Sequence, residues 1–190
     1  MAALARDLRR LPNLLSLARI VLIVLGGFLY FYVSTILGIV VAVIGGLTDY
    51  VDGAIARATG QVTRMGAILD QFGDLCFESM ALLVAVAQGF FSPLVLFAYL
   101  FREFWVTCIR RFLADERTDV PSSIWGKLKT NFLMWGMLPA FLSISRTVPA
   151  LEPHLSRLAY VGVGLGLVFS YLSAVGYTRA FVAEYERRVR

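Results

Sequence analysis

Apolar runs long enough to cross a bilayer, about 20 helical residues each, recur along this chain and constrain it more than any other feature. They run from about Leu14 to Val33, Ser34 to Ala58, Met65 to Gly89, Ser92 to Phe112, Ile124 to Ser145 and Leu158 to Tyr177. In hydrocarbon the backbone must satisfy its own hydrogen bonds, so runs of this length read as helices and not strands. With 58% hydrophobic residues in 190 and a mean hydropathy of +0.73, a soluble globular domain is excluded. The expectation is an all-α integral membrane protein of six transmembrane helices, with 1–190 forming a single membrane domain.

The ends and links follow from local chemistry. Residues 2–10, AALARDLRR, form a basic amphipathic stretch suited to lying on the membrane surface. No small-residue cleavage site follows, so the first apolar run reads as a retained span and not a signal peptide. Pro12 and Asn13 mark a turn at the entry to that span. Arg19, a turn or so inside it, either snorkels to the headgroups or belongs to a polar cavity. The six-residue link from Thr59 to Arg64 makes the second and third spans antiparallel neighbours. Beyond Tyr177 the last span continues as a charged helix, RAFVAEYERRVR. His154 falls in a far-side loop, RTVPALEPH, and Gly162, Gly164 and Gly166 read as a helix-packing face.

Basic residues set the orientation. Arg6, Arg9, Arg10, Arg57, Arg64, Arg110, Arg111, Arg117, Lys127, Lys129, Arg187, Arg188 and Arg190 fall on the side of the termini, and Arg146 and Arg157 on the other. Both termini are therefore expected in the cytoplasm. The net charge of +5 is spent flanking spans and forms no patch for nucleic acid. Cys76 and Cys108 lie in apolar segments without metal-ligand spacing and read as small core residues.

Against this background four aspartates stand out: Asp49, Asp52, Asp70 and Asp74. A carboxylate in hydrocarbon costs roughly 2.5 kcal/mol or more, so each needs a compensating partner. No Lys or Arg is interleaved closely enough to neutralise all four. Helical residues three or four apart share a face, which pairs Asp49 with Asp52 on the second span and Asp70 with Asp74 on the third. At about 1.5 Å per residue both pairs lie roughly 6–12 Å from the same, cytoplasmic, end. Convergent carboxylates there suit Mg²⁺ or Mn²⁺, hard ions that also take phosphate. Gly53 and Gly66 would admit a ligand to the helix backbone, Arg57 offers a planar fork to a phosphate, and Thr63 adds a hydroxyl. Two metals with a further carboxylate as base is an arrangement for phosphoryl transfer.

These residues, Asp49, Asp52, Gly53, Ala56, Arg57, Gly66, Asp70 and Asp74, match D-x2-D-G-x2-A-R-x8-G-x3-D-x3-D at every position. By that signature the chain resembles the CDP-alcohol phosphatidyltransferase family. The resemblance implies a homodimeric six-helix enzyme of the cell (inner) membrane with a cavity open to the cytoplasm. It would move a phosphatidyl group from CDP-diacylglycerol to an acceptor hydroxyl and release CMP, with Mg²⁺ or Mn²⁺, two ions, as cofactor. Carried over by position, Asp49, Asp52 and Asp70 would bind the metals. Asp74 would be the general base and also a metal ligand, and Gly53, Arg57, Thr63 and Gly66, with Asp49, Asp52 and Asp70, would hold the donor.

Further motifs narrow the resemblance to bacterial phosphatidylglycerophosphate synthases. PNLLSLAR from Pro12 is similar to their PNxLTxxR, REFWVTCIR from Arg102 to R-E-x6-R, and GKLKT from Gly126 to GKxKT. The implied acceptor is glycerol 3-phosphate, its phosphate met by Arg102, Arg110, Lys127 and Lys129. One segment departs: LDQFGDL stands where those synthases read LDPxADK, so Gln71 replaces a proline and Leu75 a lysine. Glu78 adds an acid one turn beyond Asp74. Inositol phosphate, phosphatidylglycerol or serine as acceptor stay open on that account. A cation or proton transporter built on the intramembrane acids would call for acids at the midplane, broken helices and repeat symmetry. A catalytically silent scaffold would have lost an aspartate or the arginine, and none is lost.

Overall fold

The computed structural model describes residues 10–59, 63–115, 124–146 and 148–189, with the side chains of residues 49–59, 64 and 115 outside that description. The surface helix expected over 2–10 lies almost wholly outside the described residues. The described residues form helices joined by short turns, with no strand among them: α1 (Leu11–Tyr32), α2 (Thr35–Thr59), α3 (Arg64–Ala87), α4 (Pro93–Asp115), α5 (Ile124–Ile144), a 3₁₀ turn (Pro149–Leu151) and α6 (Glu152–Val189). The contacts gather into two compact units, Met1–Val84 and Ala85–Arg190.

In the first unit, α1 is sorted the wrong way round for water. Its buried stripe is Pro12, Asn13, Ser16, Arg19, Ile23, Gly26, Gly27 and Tyr30, at helical spacing. Its open face carries Leu14, Leu17, Val21, Val24, Leu25 and Phe28, each 42–58% exposed. Polar groups inside and a continuous apolar face outside mark a lipid-facing helix. Pro12 sits in the first turn of α1, at the helix start that proline prefers because its missing N–H costs no hydrogen bond there; Asn13 beside it is helical as well, so the turn lies ahead of the pair. Small residues bring α2 against α1. A methyl group at Gly26 would meet Ala42 N at 3.0 Å, and one at Gly45 would meet Leu22 Cβ at 3.3 Å. α3 packs on the same side through Met80 against Gly27 and Phe77 against Gly46.

α3 is stopped by Gly89, whose φ of 71° suits a residue without Cβ. The N–H of Gly89 bonds Val86 O (2.9 Å) and that of Phe90 bonds Ala85 O (2.9 Å), the pairing of a Schellman cap. In the second unit α6 packs on α4 and α5. Gly136 and Gly162 cross so closely that a Cβ on Gly136 would lie 2.6 Å from Val163 N, and Gly166 takes Leu133. Gly164 faces open space, so two of the three glycines expected to pack do so. Val106, Ile109, Leu113, Ala174 and Tyr177 form an apolar core. His154, expected in a loop, lies in the first turn of α6, because Pro153 there starts a helix and does not break it.

Two helices among the described residues, α1 and the stretch Pro149–Val189 containing α6, are long and apolar enough to cross a membrane; Thr35–Thr48 is a shorter apolar segment. With its exposed apolar faces, the chain is a membrane protein.

Candidate functional site

Asp70 and Asp74 lie one turn apart on α3 and are brought together by a residue far away in sequence. Arg19 of α1 is 2% exposed. Its Nη1 donates to Asp74 Oδ1 at 3.3 Å. Nη2 donates to Asp70 Oδ1 at 3.3 Å and to the Asp70 carbonyl oxygen at 2.9 Å. Arg19 therefore belongs to a polar cavity and does not snorkel. A buried guanidinium needs such partners, since an uncompensated charge in hydrocarbon is costly. The carboxylates stay open: the Asp70 side chain is 57% exposed and that of Asp74 55%.

At the end of α3 nearest these acids, Thr63 is the N-cap. Its Oγ1 accepts the Gly66 N–H at 2.9 Å, satisfying one of the otherwise orphan donors of a helix start. The same hydroxyl pairs with the Asn13 side-chain amide, at 3.1 Å from Nδ2 and 3.3 Å from Oδ1. A Cβ at Gly66 would lie 2.7 Å from Asn13 Oδ1. Gly66 and Thr63 thus meet a residue that the sequence reading placed only at a turn. Asn13 is 1% exposed. Its signal was an amide immediately before an apolar run, and a group buried there needs an internal partner.

Asp49, Asp52, Gly53 and Arg57 are on α2, but their side chains lie outside the described residues. Among the described residues no three His, Cys, Asp or Glu side chains cluster as a metal would need. The two exposed carboxylates on α3 fit a hard divalent ion in donor chemistry, and Asp49 and Asp52 would complete an oxygen set. Gln71 is exposed, and Leu75 and Glu78 are half-buried along α3.

The four cations assigned to an acceptor phosphate have unlike surroundings in the second unit. Arg102, 5% exposed, donates from Nε to Ser170 O (2.9 Å) and from Nη1 to Glu103 Oε1 (2.6 Å). Lys129, 8% exposed, donates to the same Glu103 oxygen at 3.0 Å and lies 5.4 Å from the Tyr99 ring centroid. Glu103 thus joins two of the four. Arg110 is exposed with its guanidinium 5.9 Å from the Tyr177 ring centroid, a cation–π distance. Lys127 is exposed, two residues before Lys129 and so on another face of α5.

The sequence profile described as CDP-alcohol phosphatidyltransferase matches residues 9–172. Curated bacterial relatives carry the name CDP-diacylglycerol–glycerol-3-phosphate 3-phosphatidyltransferase, and three of them illustrate the match. That of Aquifex aeolicus is 36% identical over 134 residues, covering 67% of this chain and 72% of the relative. That of Rickettsia bellii is 32% identical over 130 residues, covering 67% and 72%. That of Pectobacterium atrosepticum is 31% identical over 172 residues, covering 86% and 93%.

Proposed function

The chain belongs to the CDP-alcohol phosphatidyltransferase family and is an enzyme of that class, a transferase of phospholipid biosynthesis; from this premise we propose that it transfers the phosphatidyl group of CDP-diacylglycerol to glycerol 3-phosphate. The products are phosphatidylglycerophosphate and CMP. The observation that carries the reading is the pair Asp70 and Asp74, fixed one turn apart on α3 and open to a ligand. The names of the relatives and the R-E-x6-R and GKxKT segments support the acceptor.

In this reading the acceptor hydroxyl attacks the phosphorus that bears the diacylglycerol. The bond from that phosphorus to the bridging oxygen of CMP breaks, and the hydroxyl proton passes to Asp74. Asp49, Asp52 and Asp70, together with Asp74, would hold Mg²⁺ or Mn²⁺, which would supply stabilisation of the charge on the transferring phosphate. Gly53, Arg57, Thr63 and Gly66 hold the cytidine diphosphate portion. Arg102, Arg110, Lys127 and Lys129 are assigned to the acceptor phosphate, with Arg110 and Lys127 the exposed members. The six helical runs each span the inner membrane, the termini and the aspartates face the cytoplasm, and the enzyme works as a homodimer.

The test is CMP release from CDP-diacylglycerol by the purified protein with Mg²⁺ or Mn²⁺, acceptor by acceptor, beside an Asp74→Asn control. Release that depends on glycerol 3-phosphate and vanishes in the control supports the reading. Half-buried Glu78, one turn beyond Asp74, and Leu75 favour a second reading, with the same chemistry on a less anionic acceptor such as serine. Turnover with that acceptor alone would select it. No metal-dependent release with any acceptor would remove both.

A further inference from the structure

We propose that Arg19 is a positioning residue of the phosphatidyl-transfer site, seated in a notch that Gly73 leaves open on α3 so that one guanidinium sets the orientation of Asp70 and Asp74 together. This rests on the proposed reaction, in which those two carboxylates act. The geometry has three parts. Arg19 reaches each carboxylate through a different terminal nitrogen, Nη1 to Asp74 and Nη2 to Asp70. Nη2 also holds the Asp70 carbonyl, which ties the fork to the backbone as well as to two mobile side chains. Gly73, which lies between the two aspartates, is buried, and a Cβ there would strike the guanidinium, 2.7 Å from both Cζ and Nε and closer still to Nη2.

A side chain at position 73 would therefore press on the guanidinium in the position it takes here. LDQFGDL has Gly73 where the synthases it resembles read Ala in LDPxADK, and Leu75 where they read Lys. The cation beside the two acids comes from α1, from the arginine of PNLLSLAR, and lies over Gly73. A planar fork can hold two carboxylates and a carbonyl at once, which the single ammonium of a lysine cannot do in that geometry. The exposure of both aspartates, above half for each, leaves them able to meet a ligand while Arg19 fixes their inner sides.

Four variants test this: Arg19→Gln, Arg19→Lys, Gly73→Ala and the double variant Arg19→Gln/Gly73→Ala, each purified beside wild type and Asp74→Asn. Misplacing reacting groups by about 1 Å costs on the order of 100-fold, so R19Q should lose about that much kcat, with KM for CDP-diacylglycerol changed by less than about threefold. R19K and G73A should each lose about tenfold, intermediate because charge or fork survives in part. If Gly73 matters only as the seat of the guanidinium, G73A should cost nothing further in the R19Q background, a coupling that a double-mutant cycle reads directly. A second readout needs no turnover: Mn²⁺ binding, followed by its paramagnetic resonance signal without substrate. R19Q should bind Mn²⁺ at least as tightly as wild type, because a positive charge beside the carboxylates has gone.

Additive losses in the double variant, or R19Q turnover within about twofold of wild type, overturn the role of Arg19. So does a joint loss of Mn²⁺ binding, turnover and thermal stability in R19Q, which marks a purely structural arginine. Failure of the underlying reaction looks different: wild type binds no Mn²⁺, or Asp74→Asn keeps full turnover, and the inference then falls with it.

Discussion

Arg19 and Arg102 are both buried arginines in apolar helices, 2% and 5% exposed, yet their acids are treated in opposite ways. Arg19 meets two carboxylates that stay 57% and 55% exposed. Arg102 shares with Lys129 one carboxylate, Glu103, whose side chain is 15% exposed. In the first cluster the cation is hidden and the acids are offered; in the second, both cations and their acid are withdrawn together. In a cluster closed on itself, removing one partner leaves the other charges buried and uncompensated. One that leaves its acids open is available for chemistry. Two sets of ion pairs of the same residue types thus differ in which sign of charge is left accessible.

The strongest way to break this contrast is to remove the open acid. Asp74→Asn should lower turnover by about 1000-fold, within the range for loss of a general base, while the thermal midpoint of the purified protein barely moves. A large fall in that midpoint would mean that the open cluster is structural after all. Glu103→Ala should do the reverse. Leaving Arg102 and Lys129 buried without their shared acid should cost about 3 kcal/mol of stability, read from thermal or denaturant unfolding in detergent. Full stability with lost glycerol 3-phosphate saturation would instead make Glu103 part of the acceptor site.

A smaller effect sharpens the structural side. The closed cluster draws Lys129 from α5 and the Ser170 carbonyl from α6, and these helices touch at Gly136 and Gly162. Gly136→Ala should force them apart and cost about 2 kcal/mol. Gly164→Ala, with nothing within 4 Å of its added methyl, should be neutral or slightly stabilising. The smallest change is expected at Lys127, exposed and outside the closed cluster. Lys127→Ala should raise KM for glycerol 3-phosphate about threefold, the scale of one screened charge, without moving the unfolding midpoint.

Much of the helix framework was legible because it rests on local rules. The apolar runs located the described helices to within about three residues at most ends, since in lipid each helix satisfies its own backbone. The pairing of Asp70 with Asp74 was legible from their four-residue spacing. Arg19 was visible as a charge in an apolar run, but its partners stand 51 and 55 residues away, beyond any spacing rule. For the same reason the search for a cation interleaved among the aspartates found none adequate. Glu103 was read only as one letter of a motif. An acid beside an arginine in an apolar helix needs a partner, yet only the placement of α5 identifies Lys129. Asn13 was taken for a turn former, and its contact with Thr63 depends on how α1 lies against the start of α3.

By itself the sequence determined that the chain is helical and built for a membrane, and that Asp70 and Asp74 fall one turn apart on one helix. Those features follow from hydropathy, from backbone hydrogen bonding in hydrocarbon and from a 3.6-residue period, all of which act over one or two turns. The tertiary structure alone decided which buried cation serves which acid. That choice depends on small residues, Gly26, Gly45 and Gly73 in the first unit and Gly136 and Gly162 in the second, which let helices or side chains approach to contact. Hydrogen-bond geometry weakens steeply with distance and angle, more so than the Coulomb attraction itself, so the approach these glycines allow decides which donor meets which acceptor.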